Sequence, residues 1–167
     1  KVVKRGKNIK RKDLCLSVGS LLPYKGHELT VEAIGLMSNK PKLVVVGEGR
    51  EVERKKLIEL AKRNGVSLRI IEKTTDSGLN NLYRTAKVYV NSAYHEPFGL
   101  TSLEALYSGE NLVTVDECGT QELKEFFDNK VSVVSRTTKS ISEAIKNMIN
   151  ENNSIPRRSV IFSWGYF

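Results

Sequence analysis

The chain has 167 residues, 40% of them apolar and 28% charged, and a formal net charge of +8. That is the composition of one soluble globular domain, long enough to bury its own core. No run approaches the ~20 apolar residues that span a bilayer, and no apolar stretch follows the basic N-terminus, so neither a membrane span nor a signal peptide is expected. The charge is unevenly placed: the first twelve residues hold seven basic side chains and no acid, which leaves 20 basic against 19 acidic residues in the rest. The body is therefore nearly neutral and no nucleic-acid partner is expected. Residues 1–13 read as a basic arm or interdomain linker, or else as a segment drawn to an anionic membrane surface. Cys15 and Cys118 give neither a disulfide framework nor metal-ligand spacing. A cytoplasmic location follows as an expectation.

After the arm, Leu14 to Val18 is a short apolar run closed by Gly19, as a buried strand would be. A loop from Ser20 to Gly26 leads to Leu29, Ala33, Ile34 and Met37, which recur at helical spacing. Lys42 to Val46 is the plainest strand. Gly47-Glu48-Gly49 follows it, then a charged helix from about Glu51 to Asn64, which Gly65 stops. Leu68 to Ile71 reads as a third strand, Leu79, Leu82, Tyr83 and Ala86 as one face of a short helix, and Val88 to Val90 as a fourth strand. A helix from Leu100 to Ser108, a strand Leu112 to Val115, a helix from about Thr120 to Phe127 and a strand Val131 to Val134 come next. Ile141, Ala144, Ile145, Met148 and Ile149 describe a last helix, broken by Pro156.

Six apolar strands alternating with helices predict an α/β fold: a doubly wound, Rossmann-like parallel sheet of six strands. In such a sheet the ligand lies beyond the carboxyl ends of the strands. The segments there are Gly19 to Lys25, Gly47 to Gly49, Lys73-Thr74, Glu96 to Thr101 and Asp116 to Gly119.

The most informative of them is Glu96-Pro97-Phe98-Gly99-Leu100-Thr101-Ser102-Leu103-Glu104. A Pro/Gly turn between a strand and a helix leaves backbone N–H groups unpaired at the helix start, where phosphate can rest. Acids on either side suggest a ligand that is half phosphate and half polyol. Thr101-Ser102-Leu103-Glu104 also fits a capping box, with Thr101 as the cap, so Glu104 reads either as a cap partner or as a ligand. Lys25 reads either as a solvated loop lysine or as a phosphate contact. Gly47-Glu48-Gly49 lacks the third glycine of a dinucleotide fingerprint and reads as a tight turn, with Gly47 still allowing close backbone approach. His27 and His95 are too isolated to hold a metal. There is no Walker loop and no Gly-x-Ser-x-Gly elbow.

Several of these segments resemble, in order, the motifs of the group 1 glycosyltransferases, also called glycosyltransferase family 4. Glu96 and Glu104, with Pro97-Phe98-Gly99-Leu100 between, resemble its E-x7-E signature. Leu16 to Ser20 with Lys25-Gly26, Val44 to Gly49, Leu82 to Val90, Gly119 to Glu122 and Phe162-Ser163-Trp164 are similar to its other landmarks. The resemblance implies the C-terminal, donor-binding half of a GT-B enzyme, here residues 14–167, working beside an N-terminal acceptor domain that this chain does not match. It implies a retaining, metal-independent hexosyltransferase with no cofactor. Its donor would be a nucleotide-diphosphate sugar such as GDP-mannose or UDP-glucose, so a mannosyl or glucosyl group is transferred, and a lipid-linked or membrane-surface acceptor fits the family.

By the same resemblance Glu96 is the catalytic carboxylate, holding donor-sugar hydroxyls, and Glu104 holds the ribose. The N–H groups of Phe98, Gly99, Leu100 and Thr101 and the ammonium of Lys25 meet the diphosphate, Gly47 lies against the donor, and Lys73 and Thr74 lie near the base. Three positions depart from the pattern: Ser20 replaces a common Arg, Glu72 a frequent Gly, and Cys118 the first Gly of a Gly-Gly pair. A non-catalytic nucleotide-binding or regulatory module on the same sheet is the alternative.

Overall fold

The computed structural model describes residues 11–150, so the Phe162-Ser163-Trp164 landmark, the break at Pro156 and most of the basic arm lie outside the described residues. Six strands, β1 (Lys12–Val18), β2 (Lys42–Val46), β3 (Leu68–Ile71), β4 (Ala86–Asn91), β5 (Asn111–Val115) and β6 (Val131–Val134), form one sheet in the order β3-β2-β1-β4-β5-β6. Every pairing is parallel. This is the doubly wound, Rossmann-like sheet that the alternating pattern predicts, with its switch point between β1 and β4.

Side chains alternate across the sheet with period two and build two cores. Cys15, Leu43, Val45, Val88, Val90, Val113 and Val115 face one side. There they meet α1 (His27–Gly35), α2 (Glu51–Arg63) and α6 (Thr138–Asn150) through Val31, Ile34, Leu57, Ala61, Ile141 and Ile145. Leu14, Leu16, Val44, Val46, Tyr89 and Leu112 face the other. That side is covered by α3 (Asp76–Thr85), α4 (Leu100–Tyr107) and α5 (Leu123–Phe127) through Tyr83, Ala105, Leu106, Leu123 and Phe127.

Several boundaries differ from the sequence reading. β1 begins at Lys12, two residues before the apolar run, because Lys12 pairs with Ala86. Arg11 follows suit: its guanidinium donates to the carbonyls of Tyr83, Ala86 and Ser108, covering exposed carbonyls at the ends of α3 and α4. Ala86 is the first residue of β4 rather than part of the preceding helix. The stretch from Gly119 is not one helix, since a 3-10 turn over Gly119–Glu122 precedes α5. Thr75, unremarked in the sequence, caps α3 by accepting from the Gly78 N–H at 3.1 Å.

Candidate functional site at the carboxyl edge

Parallel strands bring all the post-strand loops to one edge, and hydrogen bonds lock those loops to one another. Leu21 N–H donates to the Glu48 carbonyl at 2.8 Å, Tyr94 N–H to Tyr24 at 2.7 Å, and Gly119 N–H to Glu96 at 2.9 Å. The Ser92 hydroxyl donates to the Gly26 carbonyl at 2.7 Å. Gly47 packs against Gly19 so closely that a Cβ there would lie 1.7 Å from the Gly19 carbonyl oxygen. The close approach at Gly47 is thus between two loops of the protein itself.

The centre of the edge is the turn from β4 into α4. Gly99 is the residue before the helix, in the left-handed region at φ 54°, and no side chain caps it. A Cβ at Gly99 would sit 1.9 Å from Thr120 Cγ2. Ser102 and Leu103 N–H both turn back to the Gly99 carbonyl, at 2.9 and 3.2 Å. Among the described residues, the N–H groups of Phe98, Gly99, Leu100 and Thr101 have no acceptor. Four free donors at the positive end of a helix can hold an anion.

The capping-box expectation is overturned. Gly99 occupies the cap position, which moves Thr101 inside the helix and away from the geometry a cap needs. The Thr101 hydroxyl accepts instead from Tyr89 at 2.7 Å, and Glu104 accepts from the Tyr83 hydroxyl at 3.0 Å. Burial pushes both phenols well up, so each keeps its proton and donates. Tyr89 also accepts from the Val18 N–H at 3.3 Å and so joins the end of β1 to the start of α4.

Lys25 and Glu96 lie 71 residues apart in sequence and meet as an ion pair at this edge, each side chain about a fifth exposed, at 21% and 22%. Lys25 runs over Gly19, and its ammonium stands 5.3 Å from the Tyr24 ring centroid. The loop that carries it is held by His27, whose Nε2 lies 3.2 and 3.1 Å from the carbonyls of Gly19 and Ser20 while Nδ1 lies 3.1 Å from the Ser17 hydroxyl. Burial holds His27 below its ordinary pKa, and the ring is a neutral strut.

The sequence-predicted residues therefore separate into two groups. Lys25, Glu96, Phe98, Gly99, Leu100 and Thr101 converge on the β1 and β4 loops; Glu104 stands one turn further along α4. Lys73 and Thr74 are exposed after β3, three strand spacings or about 14 Å from β4. Phe98 is the most open apolar residue of the edge, at 81% exposure. Tyr83, Tyr89 and His27 were missed as supports. Their partners lie on other elements, and sequence spacing carried no sign of them.

Two further features bear on the chemistry. Among the described residues, no group of three or more His, Cys, Asp or Glu side chains could hold a metal ion. A cavity of about 420 Å³ lies elsewhere, lined by Met37, Pro41, Ser142, Lys146 and Ile149, and includes none of the edge residues. It lies toward the amino ends of β1 and β2, beside Asp13, Lys40 and Pro41, whereas a doubly wound sheet binds its ligand at the carboxyl ends, so the knitted carboxyl edge is the better site. None of the described helices is long and apolar enough to cross a membrane.

Comparison with known proteins gives the family and the fold. Residues 2–161 match the family model described as glycosyl transferases group 1. Mannosylfructose-phosphate synthase of Agrobacterium fabrum is 30% identical over 105 residues, 56% of this chain and 23% of that protein. The uncharacterized glycosyltransferase MJ1607 of Methanocaldococcus jannaschii is 29% identical over 142 residues, 83% and 36%. A nucleoside-triphosphatase, THEP1 of Thermotoga maritima, is 31% identical over 120 residues, 65% of each chain. The chain thus spans 23% and 36% of the lengths of the first two relatives. Among solved structures, Anabaena HepE (Alr3699) in complex with UDP and glucose superposes with a TM-score of 0.75 at 19% identity, covering 84% of this chain and 40% of that one. WaaG, a glycosyltransferase of lipopolysaccharide biosynthesis, gives 0.74 at 23% identity, covering 86% and 39%. The chain, with its Rossmann-like GT-B half and its E-x7-E turn opening on free main-chain donors, belongs to the group 1 glycosyl transferases.

Proposed function

We propose that this chain is the donor-binding half of a retaining hexosyltransferase that uses a nucleotide-diphosphate sugar. One observation carries the reading: the start of α4 presents four free N–H groups beside Lys25 and Glu96. In the proposed reaction the bond from the sugar anomeric carbon to the diphosphate oxygen breaks, and negative charge builds on the leaving phosphate. The helix start and Lys25 face that charge, which is preorganised stabilisation of a transition state without a metal ion. The leaving phosphate takes the proton of the acceptor hydroxyl, which attacks on the same face and gives retention. Glu96 accepts hydrogen bonds from sugar hydroxyls and positions the ring. Glu104, steadied by Tyr83, accepts from the ribose, and Lys73 and Thr74 reach the base, with Gly47 beneath the donor.

Names of relatives bear on the sugar: a mannosylfructose-phosphate synthase and probable sucrose-phosphate synthases lie among them, which favours a mannosyl or glucosyl donor. UDP in the Anabaena complexes favours a uridine or similar base. The nucleoside-triphosphatase match contributes no triphosphate chemistry, because the sequence has no Walker loop. The acceptor belongs to a second Rossmann-like domain, and we place the enzyme in the cytoplasm, with a lipid-linked or membrane-surface acceptor as its partner. The chain alone then binds donor and transfers little sugar.

Calorimetric titration of the chain with UDP, GDP and ADP in EDTA tests the donor site. One of the three binds at micromolar to millimolar concentration; silence from all three up to several millimolar would falsify the reading. Glu104→Gln separates ligand from support. Gln keeps a carbonyl for the Tyr83 hydroxyl, so the urea midpoint should hold to within about 0.5 kcal/mol of stability. Nucleotide affinity should fall several-fold, and an unchanged affinity would remove Glu104 from the ribose site.

A further inference from the structure

The ion pair between Lys25 and Glu96 joins the two groups that the proposed site needs for different parts of the donor. Lys25 is wanted by the diphosphate and Glu96 by the sugar hydroxyls, yet each is the other's partner. We propose that this pair is a charge gate, in which a diphosphate must draw Lys25 away from Glu96 before the carboxylate is free to receive the sugar. The inference rests on the donor-site reading and deepens it.

Both side chains are mostly covered, so their attraction is screened less than that of a surface pair. Loop geometry keeps them facing. Lys25 immediately precedes Gly26, where a Cβ would lie 2.1 Å from the Ser92 carbonyl, and Glu96 is tied through its own carbonyl to Gly119. The ammonium therefore has two anionic claimants at the carboxyl edge, Glu96 and whatever occupies the start of α4. A diphosphate outbids a single carboxylate because it adds the four free N–H groups to its side of the exchange. A neutral sugar brings no charge and cannot open the gate. The nucleotide end must engage first, and the sugar subsite follows.

An inverted mutational sign results. Glu96 both holds Lys25 and repels the incoming phosphates, so deleting its charge helps the nucleotide while removing the sugar contact. Glu96→Gln, which is isosteric, should bind UDP or GDP about tenfold tighter than wild type. Lys25→Gln should bind about tenfold weaker. In the Lys25→Gln background the gain from Glu96→Gln should shrink to about two- to threefold, since the competition for the ammonium is gone. Free glucose and mannose should give no heat with wild type.

Calorimetry on the folded 167-residue chain and its three variants, with circular dichroism to confirm the fold, reads all of these. Tighter binding by Glu96→Gln with a reduced gain in the double variant supports the gate. Equal or weaker diphosphate binding by Glu96→Gln, while wild type binds, overturns the gate and leaves the donor site standing. A failure of wild type and every variant to bind UDP, GDP or ADP overturns both.

Discussion

Gly99→Ala is expected to abolish nucleoside-diphosphate binding and to cost about 3 kcal/mol of stability, by two separate effects at one atom. The first is conformational: at φ 54° an added Cβ crowds the backbone, and any L-residue there is strained. The second is steric, for the new Cβ would lie 1.9 Å from Thr120 Cγ2. Thr120 cannot simply turn aside, because it is buried and its hydroxyl is 2.5 Å from that of Thr114. Relief must come from the turn, and movement of the turn misdirects the four free N–H groups. The two effects separate in a cycle. Thr120→Ser keeps the hydroxyl and removes Cγ2, so Gly99→Ala in that background should recover the steric part and retain the backbone strain. Urea denaturation gives the energies and UDP or GDP titration gives the function. Wild-type binding by Gly99→Ala would mean that the geometry at the start of α4 does not set the site.

The same turn shows what a sequence can and cannot reveal. Strands β2, β3 and β6 were legible to the residue, because each is a short run rich in Val, Ile and Leu that loop residues close. The site turn was legible as well, as a Pro/Gly break between a strand and a helix. The cap was not. Thr101 and Glu104 have capping-box spacing, and only the left-handed Gly99 shows that the helix starts two residues too early for Thr101 to serve. Tyr83 and Tyr89 gave an apolar signal that placed them in the core, where they are. Their hydroxyl partners lie 21 and 12 residues away on α4, beyond the reach of local periodicity. Lys25 and Glu96 were each legible as site residues; their pairing across the sheet switch point required the fold.

Glu110→Gln should stabilise the protein by about 2 kcal/mol at pH 8 and by almost nothing near pH 4.5. Glu110 is completely buried, and neither carboxyl oxygen has a hydrogen-bond partner among the described residues. Burial raises its pKa well above the carboxylate range, and nearby Arg11 offsets this only in part. Arg11 itself donates to the carbonyls of Tyr83, Ala86 and Ser108. The sign follows from proton linkage. Above about pH 4.3 the unfolded chain has released this proton while the folded chain still holds it, so stability falls as pH rises through the folded-state pKa. Gln mimics the protonated acid in shape, and therefore matches wild type in acid and exceeds it in alkali. His27 works in the opposite direction: its lowered pKa makes stability fall as pH drops below about 6.5, where the unfolded ring takes a proton first. That contribution is common to both proteins and cancels in their difference. Urea midpoints for the pair at pH 4.5, 6 and 8 thus isolate Glu110, and a difference that stays constant with pH would show that its carboxyl titrates as it does in the unfolded chain.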